Sequence, residues 1–369
     1  MKITRTFVYR YELPLRAPVV TARGALRTRA GWLLCLETDN GLKGWGEAAP
    51  LTGFSPETQE EAARGLIECA DKLRDCGLVD AFAMRRTSAF CPSVSFALET
   101  AVLRLAAGVL QVPMRRIMAE QSAETVRVCA LLPDGDPRVA RNAKARLGQV
   151  PAAAKLKVGR GSPADDIAAV RQVREALGPD VAIRVDVNRA WDLPTALNFA
   201  GETASCNLAY LEEPLRDWRD LPAFASACPV PYALDETLQE NKDYLATLLL
   251  SGGKGANAYL DHVLRGARAW VVKPSLMHFH GLVEWLREVE PPPYVVVSGA
   301  YESGVGMSAL AQYAAAISGP GIAAGLDTYH VLGRDVLRES LDFGGEIQMV
   351  ALDRPLDLDP GCLECVWDG

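Results

Sequence analysis

Five clusters in the second half of the chain put charged residues where apolar strands end. Lys155 and Lys157 flank Leu156, Asp186 closes Arg184-Val185-Asp186, and Glu212-Glu213 follow Tyr210-Leu211. Asp235-Glu236 follow Ala233-Leu234, and Lys273 closes Val271-Val272. The steps Lys157 to Asp186, Glu212 and Asp235 are 29, 26 and 23 residues, about one βα unit each, and 38 more lead to Lys273. Residues at successive strand ends of a parallel β/α barrel meet on one rim, where barrel chemistry happens. Side chains two apart on a strand share a face, so Lys155 and Lys157 point together, as do Arg184, Asp186 and Asn188. Isolated buried charges are costly, so these groups need one another or a metal ion.

Three carboxylates on adjacent strands, Asp186, Glu212 and Asp235, offer hard oxygen ligands suited to Mg²⁺, with Mn²⁺ as a substitute. Lys157 and Lys273 come from opposite sides and would flank a molecule held there. An ammonium beside a cation and another ammonium loses its proton more readily, which suits a general base near neutral pH. Taken singly, a Glu-Glu-Pro, an Asp-Glu or a Lys-x-Lys reads as a solvated loop or surface. The three acids in register with two lysines favour the functional reading.

The elements that must position these groups follow from texture. Residues 1–55 alternate apolar and polar positions between turns, as an antiparallel meander does. Ser55 as N-cap and Pro56 at the first helical position predict a helix, and a second is expected after Pro92-Ser93. Eight apolar segments then alternate with helical patterns, near Val126–Leu131, Ala154–Val158, Ala182–Val187, Ala209–Glu212, Tyr232–Asp235, Ala269–Lys273, Tyr294–Ser298 and Ile322–Leu326. The expected fold is α/β, with a (β/α) TIM-type barrel at 121–334 and an α+β capping domain at 1–120, onto which 335–369 pack back.

The 369 residues carry a net charge of −7, 49% are hydrophobic and 23% charged, an ordinary globular profile that argues against a nucleic-acid partner. No run approaches the ~18 consecutive apolar residues of a membrane span. Met1 to Arg5 run on to Arg10 and Arg16 without an apolar segment, so no secretory signal is read and a cytoplasmic location is expected. The nine cysteines then read as reduced thiols, the Cys362-x-x-Cys365 pair included. The expected partner is a small carboxylate substrate, with no nucleic acid or membrane; a homo-oligomer is compatible with the sequence.

Several motifs resemble the enolase superfamily, and within it the o-succinylbenzoate synthases of menaquinone biosynthesis. They are Gly44-Trp45-Gly46-Glu47, Leu51-Thr52-Gly53-Phe54-Ser55, Pro92 to Ala97, Lys155 to Gly159, Arg184 to Trp191, Leu211 to Pro214, Leu234 to Thr237, Val272 to Leu276 and Gly325 to Thr328. The resemblance implies that Asp186, Glu212 and Asp235 bind Mg²⁺ and that Lys157 removes the proton α to the substrate carboxylate. Lys273 would be the cation on the other face, and Lys157 would then protonate the leaving hydroxyl in a syn elimination of water. It implies that Ser298 and Gly325 meet the succinyl carboxylate of the substrate, and that a 51–55 loop, with Phe54 and Ser55, shields the site. Arg184 would lie beneath Lys157 and help keep it neutral. Lys155, Asn188, Glu213 and Glu236 would support the ligands from behind. Gly299 and Ala300 stand where serines are expected, and 251–255 marks an insertion.

Other readings compete. Muconate cycloisomerases, dipeptide epimerases and N-succinylamino acid racemases share the base and metal, and racemisation would use both lysines as bases. Gly159-Arg160-Gly161-Ser162-Pro163-Ala164 outlines a dinucleotide fingerprint and thus an NAD-dependent dehydrogenase, but leaves Glu212, Asp235 and Lys273 unexplained. A non-catalytic binding protein would not need every ligand and both lysines. His278-Phe279-His280 reads as a polar rim rather than a zinc site.

Overall fold

The computed structural model describes residues 1–21, 24–87, 90–132, 137–242, 244–245, 257–277 and 293–369. Strands β1 (Ile3–Thr21), β2 (Gly24–Thr38) and β3 (Lys43–Ala48) form an antiparallel meander. Helices α1 (Gln59–Leu73), α2 (Leu78–Thr87) and α3 (Pro92–Leu110) follow. Leu34 and Leu36 of β2 bury against Leu66 and Leu73 of α1 and Leu98 and Val102 of α3. Gly44 and Gly46 let α3 lie directly on β3: a Cβ on them would stand 2.2 Å from the Ala101 carbonyl oxygen and 1.8 Å from that of Ala97.

The first helix begins later than expected. Thr58, not Ser55, is its N-cap, and a reciprocal pair of bonds with Glu61 satisfies two otherwise orphaned backbone donors. The Ser55 hydroxyl instead accepts from the Leu51 amide at 2.8 Å, tying up its own loop. Helix α2 was not foreseen, because its polar and apolar residues mark no single face. By length and composition α3 could cross a bilayer, but here it is a core helix, buried from Pro92 to Leu103.

The second sheet is parallel. After the short β4 (Thr125–Arg127) come β5 (Cys129–Leu132), β6 (Ala153–Lys157), β7 (Ala182–Asp186), β8 (Leu208–Glu212), β9 (Tyr232–Leu234), β10 (Ala269–Val272) and β11 (Tyr294–Val297). β5 to β11 pair in chain order as seven parallel strands. Leu156, Val185, Leu211, Leu234, Val272 and Val297 join the large outer core, whereas Tyr210, Ala233, Ala269, Val271 and Val296 form a smaller cluster on the other face.

Two expected strands differ. The first divides at Val128, and β4 pairs antiparallel with β12 (Glu346–Gln348). The eighth, near Ile322–Leu326, is not a strand: Ala324 and Gly325 make single parallel bridges to Val128 and Ser298. The two edges of the sheet therefore meet through this short segment. The last strand, β13 (Glu364–Asp368), returns to pair with β1.

Buried Glu47 and half-buried Arg104 link the two sheets. Arg104 of α3 donates to the Trp45 carbonyl at 2.5 Å, the Val305 carbonyl at 2.9 Å and the Ser308 hydroxyl at 2.7 Å. Glu47 of β3 accepts from the Tyr11 hydroxyl, the Ser303 amide and hydroxyl and the Gly306 amide at 2.5–2.9 Å. It thereby caps the helix Gly304–Ile317.

Gly46→Ala forces α3 off β3 and is expected to lower stability by at least ~3 kcal/mol in urea unfolding. Gly201→Ala, in a helix where an added Cβ meets nothing within 4 Å, should raise it by up to ~1 kcal/mol. Equal effects at the two sites would contradict this packing.

Candidate active site

The strand register assembles the charged groups. Lys157 stands beside Asp186, and Asp186 beside Glu212, as direct neighbours across β6, β7 and β8. Glu212 neighbours Ala233, and Asp235 lies two residues further on that face. Asp186, Glu212 and Asp235 are each 1% exposed. The Lys155 ammonium lies 2.7 Å from Glu212 Oε1 and 2.9 Å from Asp186 Oδ2. Lys157 Nζ is 3.7 Å from Asp186 Oδ2. Lys273 bonds Asp235 Oδ2, and Gln239 donates to the other oxygen at 2.7 Å.

The three acids therefore share one patch, but ammonium groups stand between them. Among the described residues no three acidic, histidine or cysteine side chains converge as a metal cage. Lys155, expected behind the ligands, bonds two of the candidate ligands directly. Burial explains this, since a carboxylate out of water needs a counter-charge. Among the described residues Glu212 Oε2 is buried without a hydrogen-bond partner. An all-oxygen donor set containing one orphaned carboxylate oxygen fits a hard divalent cation.

These neighbours split the acidities. Burial pushes the Glu212 carboxyl up to about 8, with Asp186 and Asp235 adding to it against the pull of Lys155. Burial also acts on Asp186, but Lys155 and Lys157 outweigh it and hold that carboxyl down at about 2. Lys273 and Lys155 likewise outweigh burial and hold Asp235 low. Burial lowers the Lys157 ammonium, and the charges of Lys155 and Lys273 lower it further, against Asp186. Lys273 goes the other way: burial would lower it, but Asp235 raises it.

Arg184 does not play the part expected of it. It is the register neighbour of Lys155, donates to the Ala323 carbonyl at 2.8 Å and lies over the Tyr210 ring. The charges that lower Lys157 are the two other lysines. Glu213 accepts from the Asp235 and Thr237 amides, the Thr237 hydroxyl and Arg189 at 2.7–3.0 Å, so it sets the turn that carries Asp235. Glu236 accepts from Asn188 at 3.1 Å, and burial, then Asp235, pushes it up to about 7. Ser298 and Gly325 face each other: a Cβ on Gly325 would stand 2.6 Å from the Ser298 hydroxyl. Phe54 is 39% exposed, and the residue of its loop that packs against the second sheet's loops is Leu51.

Arg189 and Gln239 were missed. Arg189 holds Glu213, Thr237 and Glu240 together from a backbone with φ 60°, and an arginine advertises no such turn. The dinucleotide reading fails locally. Gly159 is glycine because a Cβ would stand 2.6 Å from that of Ala190, and its amide donates to Asp166 at 2.9 Å. Asp165 and Asp166 in the first helical turn oppose a phosphate there. Cys362 and Cys365 lie on different elements, and all nine cysteines are free thiols. His278–His280 and residues 251–255 lie outside the described residues.

Two family models match the chain: "MenC, N-terminal domain" over residues 3–105 and "Enolase C-terminal domain-like" over 138–263. The o-succinylbenzoate synthase of Salmonella heidelberg is 33% identical over 343 residues, covering 90% of this chain and 92% of that protein. Among solved structures, the muconate lactonizing enzyme of Mucobacterium Smegmatis complexed with muconolactone matches with TM-score 0.80 and 22% identity, over 98% of both chains. The dipeptide epimerase of Enterococcus faecalis V583 complexed with Mg and L-Leu-L-Tyr matches at 0.78 and 22%, over 97% of this chain and 98% of that one. These two likenesses show the fold.

The split acidities predict a pH response of the metal-free protein. Folded Glu212 keeps its proton up to about 8, whereas an unfolded glutamate loses it near ~4.3, so stability falls as pH rises through that window. Glu212→Gln should flatten the thermal-unfolding midpoint between pH 5 and 8 in EDTA and raise it at pH 8. An unchanged slope would contradict the assignment.

Proposed function

The chain belongs to the o-succinylbenzoate synthase family of enolase-superfamily lyases, and from that premise we propose that it dehydrates 2-succinyl-6-hydroxy-2,4-cyclohexadiene-1-carboxylate to o-succinylbenzoate, in menaquinone biosynthesis. Neutral Lys157 takes the proton α to the carboxylate. The electron pair of that C–H bond closes the aromatic ring as the C–O bond breaks on the same face. The Lys157 ammonium gives its proton to the departing hydroxyl, which leaves as water. Lys273 stays protonated on the opposite face, a cation over the ring as negative charge builds there. Asp186, Glu212 and Asp235 would hold the Mg²⁺, which supplies Lewis-acid stabilisation of charge on the substrate carboxylate. Lys155 and Glu213 keep those acids in place.

One observation supports elimination over two-base racemisation. The two lysines are unlike: Lys157 is 3.7 Å from Asp186 and burial and its fellow lysines lower it below the ordinary lysine value, while Lys273 is bonded to Asp235, which raises it. A racemase needs each amine to serve as base in turn.

In this reading residues 1–120 with 335–369 are the capping domain. Residues 121–334 are a (β/α) barrel whose eighth strand is reduced to the bridges at Ala324 and Gly325. The Leu51–Ser55 loop sheds water from the mouth, and the free thiols suit a cytoplasmic protein.

Purified chain with Mg²⁺ should convert the cyclohexadiene, and turn over a panel of N-succinylamino acids far more slowly; the reverse order would favour the racemase. EDTA should abolish turnover, and Mg²⁺ or Mn²⁺ restore it. Lys157→Ala should cost at least ~10²-fold in kcat with the fold retained, and Lys157→Arg as much, since arginine does not give up its proton. In the wild type, kcat should rise with pH with an apparent pKa below the ordinary lysine value of ~10.4.

A further inference from the structure

Of the seven non-glycine residues with a left-handed backbone among the described residues, three stand just past candidate ligands. Asn188 (φ 46°) and Arg189 (φ 60°) follow Asp186, and Glu213 (φ 43°) follows Glu212. Asparagine can favour this conformation through its own short side chain, but arginine and glutamate keep it only where their surroundings impose it.

These two residues hold one another. The Arg189 amide donates to the Glu213 carbonyl at 2.8 Å, and the Arg189 Nε donates to Glu213 Oε2 at 3.0 Å. The turns after β7 and β8 then run on side by side, with a parallel bridge between Trp191 and Leu215. The rest of the guanidinium reaches a third turn. Nη2 donates to the Thr237 hydroxyl at 2.9 Å and Nη1 to Glu240 at 2.5 Å, both in the short helix Glu236–Glu240 that follows Asp235. Glu213 closes the triangle by accepting from the Asp235 amide at 2.8 Å and the Thr237 amide at 2.7 Å.

One side chain thus fastens the three turns that carry Asp186, Glu212 and Asp235. Among the described residues none of its hydrogen bonds or ion pairs goes to those acids themselves. Lys155 and Lys273 answer the charge of the acids but stand among them, so the spacing of the acids has to be set from behind, through the backbone. Mg²⁺ tolerates little departure from its preferred geometry, and partners behind the ligands commonly govern its affinity.

We propose that Arg189 is the positioning residue of the metal site: by locking the turns after β7, β8 and β9 it holds the three carboxylates at the spacing a small divalent cation requires, and so sets the affinity for Mg²⁺ rather than the chemistry that follows. This rests on the reading of Asp186, Glu212 and Asp235 as the ligands.

The test titrates Mg²⁺ by calorimetry into the full chain, stripped with EDTA and dialysed, beside thermal unfolding and steady-state kinetics on the cyclohexadiene. Arg189→Met should raise the Kd of Mg²⁺ about tenfold or more, while kcat at saturating Mg²⁺ stays within about threefold of the wild type. Arg189→Gly should raise the Kd as much, yet unfold at a higher temperature than Arg189→Met, because glycine suits the left-handed backbone. Arg189→Lys should recover part of the affinity, since an ammonium keeps the charge but not the fork that spans three partners. A Kd unchanged in both Arg189→Met and Arg189→Gly overturns the proposal. So does a Kd that tracks the unfolding temperature from variant to variant, or a loss of turnover that saturating Mg²⁺ does not restore. Should Arg189→Met not fold, Arg189→Gly and Arg189→Lys still decide it. Failure of the metal reading shows separately, as a wild type that takes up no Mg²⁺, and it overturns the proposal too. A wild type that binds Mg²⁺ without turning over the cyclohexadiene fails the dehydration reading alone, and the Kd comparison still decides the role of Arg189.

Discussion

Everything at this site follows from the cost of placing three carboxylates out of water on neighbouring strands. Asp186, Glu212 and Asp235 are almost fully buried, and their mutual repulsion adds to the desolvation penalty. The chain meets that cost with lysines from the same sheet, Lys155 between two acids and Lys273 on the third. Compensation is incomplete among the described residues, where one Glu212 oxygen has no hydrogen-bond partner. A site balanced this closely has a use for a divalent cation, and an anionic ligand would answer the charge that the cation brings.

The same field separates two lysines that look alike in sequence. Lys157 is pressed toward neutrality by burial and by two neighbouring ammonium groups. Lys273 has its own carboxylate and keeps its charge. In the proposed reaction the first would serve as the base and the second as a fixed cation, the division that one-base elimination needs. Relatives of similar fold include an epimerase and a lactonizing enzyme, so the sheet alone does not choose the reaction.

The first sheet and its helices belong to this electrostatic scheme. Glu47, Arg104 and Arg29 all reach from the first sheet or its helices into backbone near the end of β11. Each is satisfied by main-chain groups and hydroxyls rather than by an opposite charge, so each grips a segment of chain. The segment most held is the one carrying Ala300 and Tyr301, which stand against Leu51 of the first domain's loop.

Strand ends were legible because charge in an apolar strand is anomalous, and because a period of two fixes which charges share a face. Lys157, Asp186, Glu212, Asp235 and Lys273 could be picked out on that ground alone, as could the βα rhythm that brings them together. Helix α2 and the reduced eighth strand were not legible, because weak local pattern was overridden by packing. Nor was the start of α1, where Thr58 and Glu61 cap more fully than Ser55 could. The surroundings of Lys155 and Arg184 depend on distances across strands. Residue order sets which chemical groups face the interior, but the acidity of each group depends on how far its neighbours stand and how much water is removed, and only folding brings those neighbours near.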